Sequence, residues 1–284
     1  MPPTLSTSKL RYLVWAASRC LGAETSCPFC SDANTVVVRR KYGVTALRLC
    51  NTCKLMFRTP KGSVEESTNF YQTDYAQGFT TDCPSPEALQ QLKSVHFRNT
   101  QRDYSAYLSV LKDAGLGAGI SVYDFGCSWG YGSWQMREAG YKVTSWEISL
   151  PRAAYAKEML NCEIVPPEKL NEPVDCFFSS HVLEHLDRPS ILWDAARRVL
   201  KPNGIVVLFM PNGGASNPNV NLWWGQVHPL LVTSEALLSM AARSGFDGRT
   251  YSSPFALAEA GGELAQGDQL LGDELAIIAR RLNP

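Results

Sequence analysis

The sequence has no run of 18 apolar residues, no net charge and no internal repeat. The first absence leaves no candidate for a membrane-spanning helix, which needs about 20 consecutive apolar residues. Charge balance, with 27 Lys and Arg against 27 Asp and Glu, argues against a broad cationic surface for nucleic acid, although a local patch can hide in the average. An even set of cysteines is also missing. There are nine, at positions 20, 27, 30, 50, 53, 83, 127, 162 and 176. Four of them fall in C-x-x-C pairs, a pattern that suits a reducing compartment, so a cytoplasmic location is expected. Arg19 interrupts the short apolar stretch near the N-terminus and no small-residue cleavage site follows it. No signal peptide is expected there.

What is present is enough for one large core with a small satellite, in 284 residues. Residues 1–60 read as an N-terminal helix followed by the paired cysteines. Residues 61–115 read as a loop rich in aromatics and then a helix from Pro86 to Ala114. It has apolar residues at Leu89, Leu92, Val95, Tyr104, Leu108 and Leu111, Ser85 as a starting cap and Gly115 as a stop. From 116 to 284 short apolar strand patterns alternate with helical ones: "SVYDFGC", "YKVTSWEIS", "EIVP", "VDCFFSS" and "GIVVLFMPN" separated by helices, then "TSEALLSMAARSG" and two late strands, "FDGRTYSS" and "DELAIIARRL". Lys201-Pro-Asn-Gly204 reads as a turn. Strand–helix repetition with short links predicts an α/β fold, a parallel sheet with helices on both faces.

The first of these strands runs into "DFGCSWGYG", Asp124 to Gly132. Ligands of open parallel sheets sit beyond the carboxyl ends of the strands, and Gly126 and Gly130 let the backbone approach one closely. The dinucleotide fingerprint G-x-G-x-x-G is absent, because Ser128 and Tyr131 occupy its second and third glycine positions. No Gly-Lys-Ser/Thr follows either. Glu147 ends the second strand, twenty-one residues after Gly126, where a carboxylate can accept both hydroxyls of a ribose. The site is suited to a nucleoside without a pyrophosphate.

The segments "VYDFGCSWGYG", "SWEIS", "VDCFFSSHVLEHL" and "RRVLKPNGIVVLFMPN" resemble successive motifs of the class I S-adenosylmethionine-dependent methyltransferases over roughly residues 120–250. The resemblance implies a Rossmann-like sheet of seven strands, the last antiparallel. It implies that Asp124, Gly126, Cys127 and Gly130 surround the methionine part of S-adenosylmethionine, that Glu147 binds the ribose, that Ile148 packs on the adenine, and that Ser180 and His181 lie beneath the cofactor. Cys127 stands where many members carry a second glycine. Pro166-Pro167 stands where an Asp often meets the adenine amine.

His181-x-x-Glu184-His185, within "SSHVLEHLDRP", has the spacing of a reversed zinc-protease motif. That motif needs a long helix, whereas here it follows a buried strand and ends at Pro189, so a protease is not expected. In the methyltransferase reading the segment orients the loop after the fourth strand, or His181 or His185 is a general base toward an acceptor hydroxyl or carbon acid. In sugar C-methyltransferases that the chain resembles, a His matching His185 has that role. A third reading, the E-x-x-E-H divalent-metal site of some relatives, is weakened by His181 in place of the first Glu.

Cys27-x-x-Cys30 and Cys50-x-x-Cys53 enclose nineteen residues, a spacing for structural zinc held by four thiolates. The intervening "TVVVRRKYGVTALRL" reads as two strands around Tyr42-Gly43, a zinc ribbon. Arg39, Arg40, Lys41, Arg48, Lys54, Arg58 and Lys61 make this segment mildly basic. RNA methyltransferases with such a ribbon use it to grip RNA, while the ribbon fused to this methyltransferase type also resembles sugar and natural-product enzymes. A small hydroxylated acceptor, sugar-like, is favoured. An RNA methyltransferase and a non-catalytic binding protein of the same fold are the rivals. Tyr71, Tyr75, Trp223 and Trp224 are candidates to cover the cofactor or stack on the acceptor, and His228-Pro229 resembles a structural position before the next helix.

Overall fold

The computed structural model describes residues 7–63, 65–66, 82–214, 223–255 and 270–283. Runs of β-branched and aromatic residues form a seven-stranded sheet. In chain order its strands are β4 (Ser121–Phe125), β5 (Lys142–Trp146), β6 (Glu163–Ile164), β7 (Val174–Ser180), β8 (Leu200–Pro211), β10 (Phe246–Ser252) and β11 (Glu274–Arg281). The spatial order is β10-β11-β8-β7-β4-β5-β6. Among the paired neighbours, β4, β5, β6, β7 and β8 run parallel, whereas β11 is antiparallel to both β8 and β10. The expected α/β sheet with an antiparallel final strand is therefore present.

Side chains alternate between two apolar layers, as the pleat requires. Tyr123, Phe125, Phe177, Val206, Leu208 and Met210 face one layer, with Trp193 of α6 (Ser190–Val199) and Leu237 of α7 (Ser234–Arg243). Val122, Cys176, Phe178, Val207 and Phe209 face the other, with Leu111 of α3 (Ser105–Asp113) and Met136 of α4 (Tyr131–Glu138). Helix α5 (Leu150–Leu160) starts with Pro151 in its first turn, where a missing N–H costs nothing.

The helix expected from Pro86 to Ala114 is two helices, α2 (Pro86–Ser94) and α3. Ser85 caps α2 by accepting the Ala88 N–H. His96, Phe97 and Asn99 then take left-handed backbone conformations, which drive Phe97 into a pocket against Trp129 and Trp134. Burial of one large ring outweighs helical continuity. The expected turn at Lys201–Gly204 is instead the irregular start of β8, where Asn203 has φ 61° and the pairing with β7 shifts register.

Helix α1 (Thr7–Arg19) precedes the cysteine segment, whose β1 (Thr35–Lys41) and β2 (Thr45–Cys50) form a hairpin. Three residues, 42–44, connect them, and Tyr42 and Gly43 both have positive φ. Two further strands extend this sheet: β3 (Met56–Thr59), and β9 (Leu230–Leu231) from far along the chain, giving the order β1-β2-β3-β9. A boundary at residue 60 was expected from sequence. The small sheet crosses it, and Cys27, Cys50, Cys53, Leu55 and Phe57 share one buried cluster with α6 and α7.

Candidate functional site

The glycine turn sits at the carboxyl end of β4. The N–H groups of Gly126 and Cys127 both donate to the Trp146 carbonyl, at 2.7 and 3.0 Å. Gly126 has φ 82°, and a Cβ there would meet Val182 Cγ2 at 2.4 Å. Gly130, which begins α4 at φ 90°, would meet Cys162 Sγ at 2.8 Å. Both glycines are required by backbone conformation and space. Between them Ser128 takes φ 53°, and its buried Oγ has no hydrogen-bond partner.

Glu147 faces this turn from the end of β5. One carboxylate oxygen accepts the Ser128 N–H at 2.9 Å, the other the Ser149 N–H at 2.8 Å, and Arg152 Nη1 lies 3.9 Å away. Burial raises its pKa, opposed by the Ser149 N–H and the Arg152 charge. Each oxygen retains acceptor capacity. Ile148 beside it is 39% exposed, an apolar surface at the strand ends. Asp124 differs. It is buried, accepts Ser133 Oγ at 2.5 Å, and Ser133 in turn accepts Ser145 Oγ at 3.0 Å. Burial pushes its carboxyl up to about 7, so it braces the start of α4. Burial also raises the Cys127 thiol well above its usual value, which leaves it a neutral small side chain. An open backbone turn, an unpartnered hydroxyl, a strand-end acid and an exposed Ile together fit the nucleoside cofactor that the sequence implies.

Ser180 ends β7, and its hydroxyl meets the phenols of Tyr104 and Tyr107. His181 follows in a left-handed conformation, φ 54°, its N–H donated to the Phe209 carbonyl. Its Nε2 lies 2.8 Å from Glu274 Oε1 and 3.3 Å from Tyr107 Oη, and its Nδ1 lies 3.3 Å from Glu184 Oε1. Burial disfavours the charged ring, but contacts with Glu184 and Glu274 outweigh this and raise its pKa to about 10. Solvent reaches the side chain, which is 45% exposed, and damps the shift without changing its direction. His185 is the opposite case: burial lowers its pKa to about 4 against the pull of Glu184. Its Nδ1 lies 2.9 Å from the Val227 carbonyl. Of the two candidate bases, His181 is held as a cation and His185 is neutral.

Sequence reading missed Tyr107 and Glu274. The signal for Glu274 was its place at the start of the antiparallel strand, opposite Pro211, which returns it to the carboxyl end of the sheet. Trp224 is not a platform for an acceptor. It is 1% exposed, packed among Leu47 and Leu231 with Lys41 Nζ 4.4 Å over its ring. Trp223 is half-buried, and its carbonyl meets His228 Nδ1 at 2.9 Å. Tyr71 and Tyr75 lie outside the described residues.

Cys27, Cys30, Cys50 and Cys53 come together with all four sulfurs within 4.8 Å of one another. Cys27 and Cys53 are 3.4 Å apart, Cys30 and Cys50 3.6 Å, close to the edge of about 3.8 Å implied by Zn–S bonds of about 2.3 Å. The two knuckles are copies: Ser31 N–H donates to the Cys27 carbonyl and Lys54 N–H to the Cys50 carbonyl, with Ser31 and Lys54 both at positive φ. Contact between Cys27 and Cys53 lowers the Cys27 thiol and raises that of Cys53, so the two sulfurs share one proton.

Comparison with known proteins finds one matching family and several solved structures of similar fold. Residues 123–208 match the methyltransferase domain family. A methyltransferase dependent on S-adenosylmethionine from Archaeoglobus fulgidus is 20% identical over 69% of this chain and 99% of its own, with a TM-score of 0.49. The complex of the Haloferax volcanii Trm112 methyltransferase activator with a methyltransferase contains a chain 12% identical, over 70% of this chain and 95% of that one, at a TM-score of 0.50. The glycopeptide N-methyltransferase MtfA bound to S-adenosylmethionine is 16% identical over 64% and 95% of the two chains, at 0.47. No curated protein matches in sequence.

Proposed function

We propose that this chain, which carries a methyltransferase domain, transfers the methyl group of S-adenosylmethionine to a small hydroxylated acceptor, a sugar, glycan or natural product. The observation that supports cofactor binding is the pair of left-handed glycines, Gly126 and Gly130, opposite Glu147. Gly126, Ser128 and Gly130 would hold the methionine part by their backbone, Glu147 the ribose and Ile148 the adenine. The cofactor supplies a methyl group on a good leaving group. The chain's task is to place the acceptor in line and exclude water. Ser180, Tyr107 and Glu274 supply polar groups at the strand ends. His181, charged and half-exposed, is suited to orient an acceptor oxygen. His185, neutral, is the one of the pair with a lone pair to give, and a placed base contributes about 10²–10⁴-fold.

In this reading the ribbon is a support. Arg58 of β3 bonds the carbonyls of Gly225 and Gln226, its N–H bonds that of Pro229, and Lys41 bonds that of Trp224. Four zinc-bound thiolates would stiffen this platform. The same contacts disfavour RNA. Arg58 is buried against Asp187, Lys41 is spent on Trp224, Lys61 pairs with Glu24 and Arg48 bonds Thr35. Of the basic segment, Arg39 and Arg40 stay exposed and Lys54 is half-buried, few for a phosphate backbone.

The test is calorimetry with S-adenosylhomocysteine, followed by mass-detected methyl transfer to hydroxylated small molecules and to RNA. Micromolar binding with transfer to the small molecules is expected. No binding of the nucleoside by the folded protein rejects the cofactor, and salt-sensitive transfer to RNA rejects the acceptor class.

A further inference from the structure

The 3₁₀ turn Leu183–His185 after β7 and the segment before β9 bring Glu184, His185 and His228 together, their donor atoms within 4.8 Å of one another. The two imidazoles pack edge to face with centroids 4.6 Å apart. Each has its Nδ1 against a backbone carbonyl at 2.9 Å, Val227 for His185 and Trp223 for His228. A carbonyl only accepts, so each Nδ1 carries the proton and each Nε2 the lone pair. Rings tied in this way are how proteins orient imidazole ligands toward a metal. Glu184 is the third group. It is 3% exposed, and neither carboxylate oxygen takes part in a hydrogen bond. His181 Nδ1, on a charged ring, lies 3.3 Å from Oε1, and Nε2 of the neutral His185 lies 3.8 Å from it. His181 is shared between this buried carboxylate and Glu274, so one imidazolium faces two carboxylates, and a metal ion beside Glu184 would balance the charge that is left over.

We propose that Glu184, His185 and His228 bind a divalent first-row transition-metal ion. The set differs from an all-oxygen site. Two imidazoles and one carboxylate suit Fe²⁺, Co²⁺, Ni²⁺ or Zn²⁺, whereas Mg²⁺ and Ca²⁺ require oxygen donors. His181, turned to Glu274, is not part of it. Metal–nitrogen bonds of about 2.1 Å place donor atoms about 3–4 Å apart, so binding needs only a small contraction. Three protein ligands leave a position for water or, resting on the reading above, for an oxygen of the acceptor. In the bound state His185 acts on the acceptor through the ion rather than by taking its proton.

The experiment uses the whole protein with its cysteine site filled by zinc, dialysed against Co²⁺ without acceptor. One additional Co²⁺ per chain is expected, without the charge-transfer absorption of a thiolate–cobalt bond. Proton spectra should show two cobalt-shifted exchangeable imidazole N–H signals. His228→Ala, which leaves His185 in place, should weaken binding at least tenfold while S-adenosylhomocysteine still binds, and Glu184→Gln should do the same. The proposal is overturned if the native chain takes no ion beyond the ribbon's, if the shifted N–H signals are absent, or if both variants bind Co²⁺ as the native chain does. The native spectra decide should either variant fail to fold. Because no acceptor is present, a failed metal site leaves the methyl-transfer reading standing, and the reverse.

Discussion

Arg58, on the third strand of the ribbon, donates to the carbonyl of Gly225 at 2.8 Å across 167 residues of chain. The same guanidinium lies 3.5 Å from Asp187 and over the rings of Tyr12 and Trp15. Arg58→Ala removes the ion pair to Asp187, which keeps the Gly62 N–H, and the side-chain donors to the carbonyls of Pro60, Gly225 and Gln226. The loss of one partner of a buried ion pair costs about 3–5 kcal/mol, and urea unfolding should show a fall of this size. If the variant still binds S-adenosylhomocysteine, its defect should lie in the acceptor KM, because the loop it holds borders the acceptor side.

Glu147→Gln should weaken S-adenosylhomocysteine about 10–100-fold by calorimetry, since hydrogen bonds to a charged group contribute about 1.5–3 kcal/mol. The isosteric amide keeps an oxygen for only one of the two N–H groups, Ser128 and Ser149, that the carboxylate accepts. Unchanged affinity would place the ribose elsewhere.

The sheet and the glycine turn were legible because their signals are local. Period-two runs, Gly126 and Gly130, and an acid at the end of the next strand lie within about thirty residues. The two paired cysteines were legible for the same reason. What lay beyond reach depends on long-range packing. Phe97 breaks a helix that periodicity made continuous, because its pocket is made by Trp129 and Trp134. Trp224 promised a platform by its place in a polar loop and instead fills a gap beside β2. Glu274 and Tyr107 reach His181 only through the pairing of β11 with β8 and the docking of α3. The opposite charge states of His181 and His185, four residues apart, follow from burial and from that distant carboxylate.

Those charge states give separate pH signatures. The folded His181 pKa is raised, so its contribution to stability is complete below the unfolded value near 6.5 and is lost as pH rises toward about 10. Chemical unfolding between pH 6 and 10 should show this decline, and His181→Gln should flatten it. The folded His185 pKa is lowered to about 4. If His185 takes the acceptor's proton, turnover should stay level from pH 8 to about 5 and fall only near 4. A limb near 6.5 would mean that a different, solvated imidazole is the base.

Cys27→Ser tests the ribbon and its link to the site together. Elemental analysis should show the loss of about one zinc per chain, because three thiolates and a hydroxyl hold the ion far less well than four thiolates. The knuckle shares its buried cluster with α6 and α7, so the loss extends beyond the ribbon and thermal unfolding should shift to lower temperature. The glycine turn and Glu147 belong to β4 and β5, on which the ribbon does not pair. S-adenosylhomocysteine affinity should therefore change little in the folded fraction, while acceptor turnover falls with the loosened segment from Trp224 to Pro229. Full zinc content in the variant would refute the four-thiolate site. Loss of zinc with unchanged turnover would confine the metal's role to the stability of the ribbon and remove its proposed effect on the acceptor loop.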